Sequence, residues 1–190
     1  MQVYKVKDQL YDGAQLHHAF CYENGGPLGP SITYFEGPAE VKDHLVDIED
    51  RLANDFIKSA NMWHFIIEIP NASLTETVLW QRTFISKCVD WIRKYRVKID
   101  VVQDGDDIMV LNHEEHTLRK LSVSIATLSR FSGLIHVGIN INVGEGCPVP
   151  AIGLHEFTMH GGRFASDVSK VFADEYDDIL RATYKVSEVH

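Results

Sequence analysis

Between Leu118 and Val143 the chain reads LRKLSVSIATLSRFSGLIHVGININV, and its two-residue rhythm limits the possible folds more than any other stretch. From Leu121 onward, Leu121, Val123 and Ile125 alternate with Ser122, Ser124 and Ala126. A strand sends successive side chains to opposite faces, so this spacing predicts one face in a core and one free for chemistry. After a short turn at Ser132-Gly133, the run Leu134 to Val143 does the same. Ile135, Val137, Ile139, Ile141 and Val143 take one face, and His136, Gly138, Asn140 and Asn142 take the other. The expected product is a strand pair whose small, polar face, with Ser122, Ser124, Gly138, Asn140 and Asn142, floors a ligand pocket, with Lys120 at its mouth.

The pieces around this hairpin can be read in order. Val3, Tyr4 and Val6 predict an opening strand, Asp12-Gly13 a tight turn, and Ser31 to Phe35 a strand. From Pro38 the pattern changes: Val41, Leu45, Ile48, Leu52 and Phe56 recur at helical spacing behind a proline suited to a first helical position. A second reading ends that helix near Leu45. Met62 to Ile69 reads as a strand closed by Pro70. Ser73 or Thr75 can cap a helix running to Tyr95, with Val78, Ile85, Val89 and Ile92 inside and Trp80, Phe84 and Trp91 broadening the stripe. Strands at Val97–Val102 and Ile108–Leu111 follow, and a helix from Phe164 to Tyr184 closes the chain, with Val168, Val171, Phe172, Ile179 and Leu180 facing inward. The expected class is α+β, a mixed, mainly antiparallel sheet flanked by helices.

At 190 residues one sizeable core is expected, hence a single domain over residues 1–190. The 27 acidic residues outnumber 18 basic ones, giving a formal net charge of -9 with no basic run. Bulk nucleic acid is therefore not an expected partner, because phosphate backbones call for clustered Lys or Arg. Cys21, Cys88 and Cys147 are widely spaced, without a Cys-x-x-Cys pair, which argues against a zinc ribbon or redox dithiol and fits a reducing cytoplasm. The charged start MQVYKVKDQLYDG and the lack of a long apolar run predict neither signal peptide nor membrane span. Exposed sheet edges and apolar helices make a homo-oligomer the expected assembly.

Several clusters carry possible chemistry. Asp47 and Asp50 are three apart and would share a helical face, able either to co-bind a hard cation or to form a solvated acidic face. His113, Glu114, Glu115 and His116 lack the four-residue spacing of helical zinc hydrolases. The glycines of Asn24-Gly25-Gly26-Pro27-Leu28-Gly29-Pro30 can cradle a phosphate or form a plain surface loop, and the stretch lacks P-loop spacing. Cys147 has no basic neighbour in sequence to activate it.

The order from Met62 to Val143 is strand, long helix, strand, acidic turn, strand, tip and two central strands. With its local sequence, this order resembles the catalytic domain of biotin and lipoate protein ligases over about 80 residues. Arg119-Lys120-Leu121-Ser122-Val123-Ser124-Ile125-Ala126 is similar to the lipoate-ligase run that carries the catalytic lysine. Gly138-Ile139-Asn140 resembles a biotin-ligase strand, and Gly105-Asp106-Asp107 a biotin-ligase turn. The chain as a whole is also similar to an uncharacterised family of small prokaryotic proteins of that fold superfamily. The similarity lies in Tyr11-Asp12-Gly13, Val46–Asp50, KLSVSIAT and GLIHVGIN.

The resemblance implies a ligase-like fold and acyl adenylation, in which a carboxylate attacks the α-phosphate of ATP. Lys120 would stabilise the charge building on phosphoryl oxygens, Asp106 or Asp107 would face Mg²⁺, and Asn140 would bond the nucleotide. The chain departs from the pattern in three places. Asp47, Glu49 and Asp50 stand where biotin ligases have a Gly/Arg-rich loop. Gln103-Asp104 replaces Lys-Trp, and Val123 replaces a glycine that lets backbone approach ligand. One expectation is therefore a nucleotide-dependent ligase or transferase for a small carboxylate. A second is a divalent-metal hydrolase built from Asp47, Asp50, Asp106 and Asp107. A third is a non-catalytic binder of small ligands.

Overall fold

Two sheets form from eight strands: β1 (Gln2–Lys5), β2 (Ser31–Val41), β3 (Ile57–Pro70), β4 (Ile99–Asp104), β5 (Asp107–Asn112), β6 (Thr117–Lys120), β7 (Ser122–Leu128) and β8 (Ser132–Asn142). The computed structural model describes residues 1–96, 98–112 and 116–189, so His113, Glu114 and Glu115 of the His113–His116 group lie outside the described residues. The larger sheet has the order β1-β2-β3-β8-β7, and the smaller one β4-β5-β6. Among the strands of the described residues, β1 runs parallel to β2 and the other strand pairs are antiparallel. The helices are α1 (Phe20–Glu23), α2 (Ile48–Ala53), α3 (Leu74–Tyr95) and α4 (Gly161–Tyr184). The architecture is the expected α+β class with a mainly antiparallel sheet.

The helix α3 starts with a full capping box. Glu76 N–H donates to Ser73 Oγ at 3.2 Å, and Ser73 N–H donates to Glu76 Oε2 at 2.7 Å, which satisfies two donors the first turn would otherwise leave bare. Arg93 and Lys94 occupy its last turn, where cations favour the helix dipole. Its inner face packs Phe84 between Phe65 of β3 and Phe172 of α4, at ring distances of 4.9 and 5.2 Å. Burying each such ring stabilises by about 1.5–3 kcal/mol. In α4 the buried stripe steps by four, through Phe164, Val168, Phe172 and Tyr176. Val171, expected inward, falls beside that stripe and is 49% exposed; Ile179 and Leu180 lie in an open groove beside Leu79 and Trp80.

The opposite face of the larger sheet is covered at one end by the N-terminal segment. Val6, Tyr11 and Phe20 pack there on Phe35, Val41 and Ile66. A buried carboxylate pins the segment: Glu68 accepts from Ala19 N–H at 2.9 Å and Ser132 Oγ at 2.7 Å, and pairs with His18. Gly37 is required by this packing, since a Cβ there would lie 1.8 Å from the Gln9 carbonyl oxygen.

The helix expected from Pro38 is replaced. Pro38 lies inside β2, which runs on to Val41 with an irregular register between Gly37 and Ala39. Asp47 instead caps the short α2, accepting from Glu49 N–H at 2.7 Å and Asp50 N–H at 3.2 Å. The apparent helical stripe was fortuitous, because Ile48 and Leu52 point to solvent. The β7–β8 turn also falls earlier than Ser132-Gly133: Ser129 N–H donates to Ser132 O at 2.8 Å, and Ser132-Gly133 already belongs to β8. Among the described residues, no helix is long and apolar enough to cross a membrane.

Candidate functional site

The chain leaves the smaller sheet at Lys120 and enters the larger at Ser122, so this crossing stitches the two together. Leu121 N–H donates to Ile108 O at 2.8 Å, and Leu121 O accepts from Asn140 N–H at 2.9 Å. The loop after β8 then returns and grips Lys120 on its other side. Lys120 N–H donates to Pro150 O at 2.9 Å, and Ile152 N–H donates to Lys120 O at 3.1 Å. Around this junction opens a cavity of about 240 Å³. Ser59, Met62, Val123 and Asn140 line it from the sheet; Lys120, Lys58, Asp50 and Asp55 edge it with charge; Cys147, Pro148 and Val149 close one wall.

Lys120 Nζ stands 2.9 Å from Asp107 Oδ2, with both side chains about one third exposed. Such a half-open pair holds the ammonium in place without neutralising it strongly, since water screens it. Asn140 is buried, and its Oδ1 accepts the Ser59 hydroxyl at 2.8 Å. That bond fixes the amide orientation and leaves the Nδ2 donor without a partner among the described residues. The Asp50 carboxylate has no hydrogen-bond or ion-pair partner there either. Its carboxyl is pushed above the ordinary range by burial and then by Asp47, Asp55 and Glu49, with Lys120 opposing. The site therefore offers an ammonium and an amide donor on one side and an unpaired carboxylate on the other.

The residues expected from sequence divide clearly. Lys120 and Asn140, from different sheets, line the same cavity. Gly138 lies beneath it, where an added Cβ would meet Met62 Cε at 2.8 Å and Val123 Cγ2 at 3.0 Å. Asn142 is exposed at the strand end, its Oδ1 accepting from Gly144 N–H at 3.2 Å.

Ser122 and Ser124 correct the expected face. They pair across the ladder with Ile139 and Val137, so their side chains turn toward the helix-facing core, while Val123 and Ile125 share the face of Gly138 and His136. Ser122 Oγ accepts from Ile108 N–H at 2.7 Å; Ser124 Oγ donates to Asp106 Oδ2 at 2.9 Å and accepts from Gln81 Nε2 at 2.8 Å. Ser124 still edges the cavity, but its hydroxyl is committed elsewhere. The cause is the crossing: Leu121 and Ser122 are both wholly buried, which puts the alternation one residue out of step.

The four-carboxylate metal arrangement is likewise not assembled. Asp47 caps α2, Asp106 pairs with Arg82 Nη1 at 3.0 Å, and Asp107 pairs with Lys120. Among the described residues no group of three or more His, Cys, Asp or Glu side chains is placed to hold a metal ion. The residues that sequence reading missed are Lys58, Ser59, Met62 and Asp55. Reading β3 from Met62 hid its first five residues, Ile57 to Asn61, whose polar side chains carry no strand-like alternation.

The fold is that of biotin and lipoate protein ligases. A biotin protein ligase of Aquifex aeolicus in complex with biotin matches with a TM-score of 0.55 and 14% identity, covering 92% of this chain and 70% of that one. A lipoate-protein ligase A bound with ATP matches with a TM-score of 0.53 and 11% identity over 92% and 85%. At those identities the likeness is one of fold alone. A protein of unknown function from Pyrococcus horikoshi matches over 100% of both chains, with a TM-score of 0.84 and 32% identity. An uncharacterized protein of Methanocaldococcus jannaschii is 28% identical over 189 residues, covering 95% of this chain and 82% of that protein. The chain belongs to the family described as Domain of unknown function (DUF366), whose model matches residues 1–187.

Proposed function

We propose that this cavity binds a small carboxylic acid beside a nucleotide and joins them, as a nucleotide-dependent acyl ligase or transferase. The observation that carries the reading is the meeting of Lys120 and Asn140 at one cavity, although they come from separate sheets. In such a reaction a carboxylate oxygen attacks the α-phosphate of the nucleotide and pyrophosphate leaves. Lys120 faces the oxygens on which charge grows and stabilises the transition state more than the ground state. Asn140 Nδ2 donates to the acid or the nucleotide, and Ser59 holds the amide in that orientation. Asp107 keeps the ammonium extended toward the cavity. The nearby loop carrying Cys147 to Val149 excludes water from one side.

The fold match to a ligase bound with ATP and to one bound with biotin supports both halves of the ligand set. The test is pyrophosphate exchange into ATP with a panel of small acids, with and without Mg²⁺, since phosphate oxygens supply many of that ion's ligands. Lys120→Ala should lower exchange by about a hundredfold or more while leaving the melting temperature nearly unchanged. A protein that shows neither exchange nor a nucleotide-dependent thermal shift would sink the reading. Acid binding without exchange would reduce the site to a sensor.

A further inference from the structure

A second cleft, of about 300 Å³, opens at the other end of the larger sheet. Glu68, which lines it, and Ser59, which lines the Lys120 cavity, are nine residues apart on β3, or about 30 Å, so the two spaces are separate. The glycine-rich loop supplies Pro27, Leu28 and Gly29 to its lining, and Tyr22 and Phe131 add aromatic surface.

The polar centre of the cleft is an imidazole held in one orientation. His18 Nδ1 lies 2.5 Å from Glu68 Oε1, and Glu68 is only 6% exposed. A carboxylate can only accept, so Nδ1 carries the proton and neutral His18 keeps Nε2 as a bare acceptor. Ser132 Oγ donates to the same oxygen at 2.7 Å and Ala19 N–H to the other at 2.9 Å, which holds the carboxylate against the ring. The His18 side chain is nevertheless 48% exposed. With Nδ1 turned to a buried group, the half of the ring left open carries Nε2, which has no partner among the described residues. Pinning the N-terminal segment uses the Nδ1 edge and leaves this one unexplained.

The surroundings of that acceptor are apolar. Tyr22, Leu28 and Phe131 are each more than half exposed, and large apolar side chains gathered around one oriented polar atom mark a binding site. The Phe131 ring lies 5.2 Å from the His18 ring, tilted by 48°, so an aromatic body finds ring surface beside the acceptor. An apolar cavity of about 150 Å³ is enough for benzene, so this cleft has room for a substituted ring.

We infer that the cleft binds a small phenol, its hydroxyl donating to His18 Nε2 and its ring lying against Leu28 and Phe131. The inference stands apart from the acid-ligase reading and uses none of its residues. Glu68 is the positioning residue: by keeping the proton on Nδ1 it keeps Nε2 an acceptor.

NMR titration of the intact protein with p-cresol, 4-methylanisole and toluene tests this, at about pH 8, above the ordinary histidine range. p-Cresol should bind about fivefold or more tighter than either control, as one hydrogen bond to a fixed acceptor provides, and should shift the His18 Nε2 signal. His18→Phe should remove that preference and leave toluene binding nearly intact. Leu28→Ser, at a position exposed enough to leave the melting temperature unchanged, should weaken all three probes alike. Equal affinity for p-cresol and 4-methylanisole, or a preference that survives His18→Phe, would overturn the inference. So would binding of none of the probes, or shifts confined to the Lys120 cavity. If His18→Phe does not fold, the ring nitrogens of the unaltered protein decide. A proton on His18 Nε2 in place of Nδ1, or no change there on adding p-cresol, would count equally against it.

Discussion

Strands β7 and β8 are hydrogen-bonded neighbours with similar sequences, yet they follow the two-residue rhythm differently. In β8, Ile135, Val137 and Ile139 are wholly buried on the helix side, and His136 and Asn140 lie on the other. In β7 the apolar Val123 and Ile125 take the cavity side and the serines take the helix side. The strands differ in what covers them. β8 lies between β3 and β7, and its Ile135, Val137 and Ile139 pack into the apolar core on the helix side. β7 is the edge strand, and its helix side meets the Ile108 amide, Gln81 and the Asp106 turn. A serine facing hydrogen-bonding groups is satisfied there, so hydrophobicity no longer reports which way a residue points.

The sharpest way to break this contrast is to cut both strands at apolar positions. Ile139→Ala should cost about 2–5 kcal/mol, the range for emptying a filled core site. Val123→Ala removes methyls from a half-buried cavity wall and should cost about 1 kcal/mol or less. Urea denaturation of both variants measures the difference. Equal losses would mean that Val123 is a core residue and the face assignment is wrong.

The polar face of β8 and β3 gives the next largest effect, through acid. Burial pulls His64 down to about 4, and burial with the neighbouring His64 ring pulls His136 well below the ordinary histidine value. A lowered folded value means that the unfolded chain takes up the proton first. Stability is therefore complete above about pH 6.5, falls as pH drops through that value, and stops responding to His64 below about 4. For His64 the loss amounts to about 3 kcal/mol, at up to about 1.4 kcal/mol per pH unit. Denaturation curves at stepped pH read this slope, and ring NMR titration identifies the groups. A His64 ring that titrates near pH 6.5 would show that the stack is open to water.

Ser122 tests the helix side of β7 directly. Its hydroxyl is the acceptor for the Ile108 amide in a fully buried place. Ser122→Ala should strand that amide and cost about 1–3 kcal/mol. On the cavity face the same change would be nearly neutral for stability and would alter ligand affinity. Denaturation and ligand titration of one variant therefore separate the two placements.

What could be read from sequence follows the same division. The helices α3 and α4 and strand β8 were legible because their burial is one-sided or continuous, and apolar spacing records it. Lys120 was legible as the strand-end lysine beside a small-residue face, and Asn140 as a polar residue in an otherwise apolar run. Ser122 and Ser124 were misread because Leu121 and Ser122 are both buried at a crossing between sheets, and a phase slip leaves no mark in composition. Asp47 looked like a ligand because a helix cap and a metal ligand use the same carboxylate. Ser59 and Lys58 were hidden because their partners are Asn140 and a loop some 80 residues away, contacts that only the folded chain creates.

The smallest expected effect isolates Ser124. Its hydroxyl joins Gln81 to Asp106, whose other oxygen is held by Arg82, so the four groups form a chain that ties α3 to the β4–β5 turn behind β7. Ser124→Ala and Asp106→Asn should each cost about 1 kcal/mol, because both groups are partly exposed and water replaces some of what is lost. The double variant should cost less than the sum, with a coupling of about 0.5 kcal/mol or more, since removing either partner already breaks the shared bond. Additive losses would mean that the two side chains do not meet and that Ser124 Oγ is free to face the cavity. In that case Ser124→Ala should weaken acid binding, whereas a hydroxyl bonded to Asp106 leaves that affinity unchanged.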